Sequence, residues 1–255
     1  MIKLLRSIWL VALVAVAMSC AKDDPLPRAT VDFTNEIAEV GVEVMFDNLT
    51  LNADRYEWAF SDGQTSDAIS PTMTFNEPGN LEVVLRAFTK DGQIDTVARN
   101  ITIRQRYLTN YFVKSFPNDS LGFAWDKDEA TEEDKFPDVL VELIVNKSDP
   151  TEAELENSVL EGLFLNARGQ DIANELTYDV ILTNEEWNFF LSDWDGVDIN
   201  NPTFSDPFSL IMGATFNPVL ATTTKIGDGS EGFFSLTGFD NNDNFIDVLF
   251  FFELR

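Results

Sequence analysis

From Ala29 onward the chain is written in short stretches whose apolar and polar residues take turns, and that period of two is the signature of a half-buried β-strand. Residues 31–33, 42–46, 55–60, 81–88 and 96–103 each alternate or nearly so. Asn, Asp, Gly and Pro stand between them at spacings suited to the turns of a sandwich. The second half reads similarly, with strands expected over 139–145, 177–182, 187–191, 232–236 and 245–254. The last of these holds the apolar run 248–252, which suits a central strand closing a core and is far too short to span a bilayer. One helix is expected over 151–163, capped by Asp149, with Leu155, Val159, Leu160 and Leu163 on one side. The reading is all-β: one sandwich followed by a second.

Composition narrows what such a fold can do. The chain has 17 Lys and Arg against 44 Asp and Glu, a net charge of −27 and a pI near 4.1. That excludes ordinary nucleic-acid binding, which rests on basic contacts to phosphate, and it opposes unassisted docking on anionic lipid. It favours solubility and cation binding. With 22 Phe this is no disordered acidic tail. There is no histidine, so the commonest general base and the usual zinc and iron ligand are missing. Neither GxGxxG nor GxxxxGK[ST] occurs. Catalysis, if any, would have to run on carboxylates, Lys or Tyr, and the expected class is non-enzymatic.

The only cysteine, Cys20, closes the run MIKLLRSIWLVALVAVAMSC. Lys3 and Arg6 precede an apolar stretch over 8–18, and small residues stand at Ala17 and Ser19. This is the grammar of a secretory signal. Small residues at −3 and −1 before a lone cysteine resemble the lipobox of bacterial lipoproteins. The resemblance implies a signal peptide over 1–19, a diacylglycerol on Cys20 and acylation of the new amino terminus, an anchor of several chains. It would also leave no thiol for a disulfide, so the cores must hold by packing. Cleavage removes Lys3 and Arg6 and no acid, taking the net charge from −27 to −29. Ala21-Lys22-Asp23-Asp24 resembles the export tag of surface lipoproteins in the Bacteroidetes, which implies a lipid anchor in the outer membrane facing the cell surface, or otherwise the periplasm. Residues 20–28, with Pro25 and Pro27, read as a semi-rigid tether.

The segment Trp58-Ala59-Phe60-Ser61-Asp62-Gly63, followed by Pro71 to Phe75 and Pro78-Gly79-Asn80-Leu81-Glu82-Val83, resembles the PKD domain. Ser61 replaces that family's Gly, and Leu81 its Tyr. The resemblance covers 29–104 and implies an immunoglobulin-like sandwich, with Phe33 and Phe46 as aromatics of its first strands. Independently of it, Trp58 and Phe60 share one strand face and suit an inter-sheet core, with Asp62-Gly63 making the turn after them.

In residues 105–255 two acidic clusters each adjoin a hydrophobic strand. One is Trp125-Asp126-Lys127-Asp128 continuing to Asp138, and the other is Asp193-Trp194-Asp195 continuing to Asp206. Oxygen ligands from two converging loops are what calcium requires. The pattern resembles the C2-type calcium- and lipid-binding sandwich. That resemblance implies calcium as a structural ligand, with Asp126 (or Asp128) and Asp138 as one group and Asp193, Asp195 and Asp206 as the other. The loops are longer than that family's, and Pro207 interrupts its closing motif. Residues 240–244, DNNDN, lack an EF-hand's Gly and distal Glu and read as a polar hairpin turn.

Three functions compete. The favoured one is a non-catalytic, lipid-anchored envelope protein serving calcium-dependent adhesion or protein interaction. The alternative is a glycan-binding accessory lipoprotein of a polysaccharide uptake system, with Trp125 and Trp194 as the stacking platform. A small carboxylate-dependent glycoside hydrolase stands third. The expected partners are a membrane through the lipid, and an envelope protein or glycan.

Overall fold

The computed structural model describes residues 31–33, 38–120, 123–126, 135–165, 167–168, 170–195, 208–239 and 245–255. Residues 1–28, over which a signal peptide, Cys20 and a tether are expected, lie outside them. The fold is all-β, and among the described residues no helix is long and apolar enough to cross a membrane.

The first sandwich contains β1 (Val31–Phe33), β2 (Ala38–Glu39), β3 (Glu43–Asn48), β4 (Arg55–Phe60), β5 (Thr65–Ser66), β6 (Thr72–Thr74), β7 (Gly79–Phe88) and β8 (Ile94–Arg104). One sheet is ordered β1-β3-β6 and the other β2-β8-β7-β4-β5. Alternation along β4 sends Trp58 and Phe60 inward, where they meet Phe46 and Phe75 with ring centroids 5.2 to 6.3 Å apart. These tilted and edge-on contacts are the ones aromatic quadrupoles prefer. The Trp58 indole N–H donates to the Ala68 carbonyl at 3.0 Å, so burying it leaves no polar atom stranded. Gly63, at φ +95°, makes the turn after β4, donating its N–H to the Phe60 carbonyl at 2.9 Å.

The second sandwich contains β9 (Arg106–Ser115), β10 (Asp119–Ser120), β11 (Phe123–Ala124), β12 (Val139–Val145), α1 (Glu152–Glu156), β13 (Val159–Phe164), β14 (Gln170–Leu182), β15 (Trp187–Trp194), β16 (Phe208–Phe216), β17 (Thr224–Ile226), β18 (Glu231–Phe239) and β19 (Phe245–Leu254). Its sheets are β13-β12-β15-β16 and β14-β9-β19-β18-β17, with β10 and β11 a small hairpin. β19 is the middle strand of five, as its sequence suggests, yet it is not buried on both faces. Ile246, Val248, Phe250, Phe252 and Leu254 point inward, and the residues between them face out. Phe250 stacks on Phe234 at 5.2 Å and meets Phe189 of the opposite sheet edge-on at 5.3 Å. The segment 240–244 lies outside the described residues, between Phe239 and Phe245, which pair across the hairpin.

The helix expected over 151–163 is corrected. α1 covers Glu152–Glu156 alone, and Thr151 rather than Asp149 caps it. The Glu154 N–H donates to Thr151 Oγ1, and the Glu154 carboxylate accepts the Thr151 N–H at 2.8 Å. Val159, Leu160 and Leu163 belong to β13, paired with β12 at Leu143↔Val159 and Glu142↔Leu160. A short apolar run suits either structure. Here the edge of β12 offers a ladder of backbone partners, and the strand takes it.

β12 also buries Glu142, 4 % exposed, on the sheet face opposite the core. Burial pushes its carboxyl up to about 7. The folded chain therefore keeps a proton that the unfolded chain releases above pH ~4.5, and stability falls as pH rises through that window to about 7. The loss is at most on the order of 3 kcal/mol. In chelator, the melting temperature of Glu142→Gln is expected to decline less than the parent's between pH 5 and 8. An unchanged slope would remove Glu142 from this account.

The two sandwiches are clamped together. Only Gln105 separates β8 from β9, and its backbone exchanges hydrogen bonds of 2.9 and 3.0 Å with Arg255. Arg106, 2 % exposed, crosses the junction. Its Nε and Nη2 donate to the two carboxylate oxygens of Glu39 at 2.6 and 3.0 Å, and Nη1 donates to the Pro218 carbonyl. Its guanidinium lies 4.1 Å over the Phe252 ring. Beside it the Gly41 carbonyl accepts the Asn184 side-chain amide at 2.9 Å. A Cβ at Gly41 would stand 2.7 Å from Asn184 Cβ, so a larger residue there would push the sandwiches apart.

Candidate metal centre

β12 and β15 run antiparallel, so the start of one meets the end of the other, with Val139 opposite Asp193. The Trp194 N–H donates to the Asp138 carbonyl at 2.8 Å, and the Asp138 N–H donates to Asp193 Oδ1 at 3.0 Å. Asp193 shares the inward parity of Phe189 and Leu191 and is 2 % exposed, at the rim of the core. Asp195 follows as an exposed residue just past the strand. Asp126 arrives from the other cluster, one residue after Trp125. That tryptophan packs against the core and donates its indole N–H to the Pro117 carbonyl at 3.1 Å, which pins the turn.

One carboxylate oxygen each from Asp126, Asp193 and Asp195 lies within 4.8 Å of the others. Oxygens that share a cation at 2.3–2.6 Å must lie within about 5 Å of one another, so these three satisfy the condition. The electrostatics agree. Burial first, then the Asp126, Asp195 and Asp138 carboxylates, push the Asp193 carboxyl up to about 7, opposed by the Asp138 N–H. Mutual repulsion of anions in a partly dry rim is what a divalent cation relieves. A donor set of hard oxygens alone suits calcium or magnesium rather than a soft metal.

The sequence-derived ligands therefore divide. Asp126, Asp193 and Asp195 converge. Asp138 holds Asp193 through its backbone and adds negative potential, while Asp128 and Asp206 lie outside the described residues. The stacking platform is corrected. Trp194 is only 5 % exposed, because β15 runs on through 192–194 instead of ending at 191, and Trp194 pairs with Phe208 inside the sheet. Trp125 is half-buried, with its N–H already engaged. Trp194 therefore presents no open ring face to a sugar.

Fold and rim together define an all-β protein in which an immunoglobulin-like sandwich precedes a second β-sandwich bearing an acidic rim. Residues 24–103 match the family model of the PKD domain, a span that takes in nearly all of the first sandwich. Among solved structures, the PKD1 domain of Vibrio anguillarum Epp is 21 % identical, with 32 % of this chain and 96 % of that one covered and a TM-score of 0.29. The PKD1 domain of the Vibrio cholerae metalloprotease PrtV is 28 % identical, over 31 % and 98 %, with a TM-score of 0.28. A structure described as one of the carbohydrate-binding modules from the β-sandwich superfamily is 9 % identical, over 91 % and 92 %, with a TM-score of 0.31. No curated protein matches the chain.

Proposed function

We propose that this is a non-catalytic, lipid-anchored envelope protein whose second sandwich mediates adhesion or protein interaction, with calcium ordering its rim. The observation that carries the reading is the convergence of Asp126, Asp193 and Asp195 from two separate segments, one of them almost fully buried. An acidic surface alone would leave its carboxylates in water. In this reading Asp126, Asp193 and Asp195 bind the ion directly and Asp138 orients Asp193. The C2-type likeness of the sequence agrees, and the lipobox-like Cys20 supplies the anchor.

The test is a thermal melt of the mature chain carrying Cys20→Ser, in calcium, magnesium or chelator. An extracellular-type dissociation constant of ~0.1 to 1 mM, at about 2 mM calcium, corresponds to roughly 0.7 to 1.8 kcal/mol of stabilisation. That rise is expected with calcium, and Asp193→Asn with Asp195→Asn is expected to remove it. An equal rise in magnesium, or one that survives the double variant, would reduce it to screening of a very acidic chain.

A further inference from the structure

A second feature lies on the other sheet of the second sandwich, away from the acidic rim. The outer face of β14-β9-β19-β18-β17 is not uniformly polar. Phe112, Leu249, Phe251 and Phe233 all point outward from adjacent strands, each half-buried by its neighbours. Phe251 and Phe233 are register partners with ring centroids 5.6 Å apart.

Next to that pair the sheet is interrupted. On β9, Asn110 pairs with both Glu175 and Phe251, and Leu108 pairs with both Val180 and Phe252. Thr109 between them has no counterpart on β19, while β14 sets four residues, 176–179, against it. Bulges of this kind locally end pairing and re-aim side chains. The result is a hollow of about 370 Å³ beside Phe251, with a second of about 330 Å³ on the far side of Thr109. Thr109, Glu175 and Glu253 line both.

The charge of the first hollow is one-sided. Glu175, Glu231 and Glu253 line it, and no lysine or arginine does. The same face already shows how it holds a guanidinium. Arg255 lies 4.7 Å over the Tyr107 ring and donates to Asp179 and Glu253. An aromatic face bounded by carboxylates is the environment a lysine or arginine side chain prefers.

We propose that the outer face of this five-stranded sheet is a docking site for a basic segment of a partner protein, with a lysine or arginine seated against Phe251 between Glu175 and Glu231. This deepens the reading of the second sandwich as an interaction domain and does not depend on calcium. Aromatics and carboxylates also suit sugar hydroxyls, but Glu175 and Glu231, with no lysine or arginine among the groups lining the first hollow, select a charged guest over a neutral one.

The test is a titration of the 15N-labelled mature chain, carrying Cys20→Ser, with the peptide acetyl-Gly-Arg-Gly-Lys-Gly-Arg-Gly-amide in 150 mM salt and chelator. Saturable shifts are expected at Asn110, Glu175, Phe233 and Phe251, with affinity reduced about tenfold in Glu175→Gln/Glu231→Gln. Both glutamates are exposed, so that variant keeps its fold. The equally charged control Glu77→Gln/Glu82→Gln, on the first sandwich, is expected to bind like the parent. Shifts spread over the whole acidic surface, or equal loss in both variants, would overturn the site in favour of general attraction. Localised shifts with cellohexaose and none with the peptide would overturn the basic partner and make the face a sugar site. The calcium melt can fail without touching any of these outcomes.

Discussion

Glu39→Ala is expected to destabilise the folded chain by about 3 to 5 kcal/mol, the range seen when one partner of a buried ion pair is removed. The argument rests on what the substitution leaves behind. The Arg106 guanidinium is 2 % exposed and, among the described residues, would keep the Pro218 carbonyl and the Phe252 ring as company. At this chain length each kcal/mol moves the melting temperature by about 2 to 4 °C, so a fall on the order of 10 °C should be visible by calorimetry. Glu39→Leu combined with Arg106→Met removes both charges and is expected to recover much of the loss, because desolvation of the pair offsets most of its attraction. The pair spans the two sandwiches, so Glu39→Ala should also separate their unfolding into two transitions. A melt within about 1 kcal/mol of the parent would mean that solvent reaches Arg106 and that the junction is not clamped.

Cys20→Ser is expected to release the protein from membranes altogether if the proposed anchor is correct. Each acyl methylene in the bilayer contributes about 0.8 kcal/mol, so several chains hold essentially all of the protein where one would hold it marginally. The net charge of −29 on residues 20–255 opposes docking on anionic lipid. The check is incorporation of labelled palmitate together with fractionation. The parent should be labelled and sediment with membranes, and the variant should be unlabelled and soluble. A variant still found with membranes would show that some other segment carries the attachment.

What could be read from the sequence is what depends on neighbours along the chain. Period-two alternation located β4 to the residue, and the apolar runs 139–145 and 245–254 located β12 and β19. Tight-turn chemistry at Asp62-Gly63 and the inward aromatics Trp58 and Phe60 follow from the same local rules. The acidic segments could be nominated, because carboxylates beside hydrophobic strands stand out even in an acidic chain. Local rules failed where two structures were locally acceptable. Residues 159–164 became a strand because β12 had an edge to pair, and β15 ran on through Trp194 because β12 and β16 continued beside it.

Tertiary structure alone decided the rest, and the reason is distance along the chain. Glu39 and Arg106 are 67 residues apart, and nothing near either announces the other. Asp126 meets Asp193 only because two sheet ends and a pinned turn bring them together. The hollow at Thr109 arises from a mismatch in strand length between β9 and β14, a property of pairing that neither strand carries by itself. The sequence determined that this chain folds as β-sandwiches, with aromatic cores and acidic rims. Contacts between distant strands determined which acids converge, which tryptophans are buried and which face is left open to a partner.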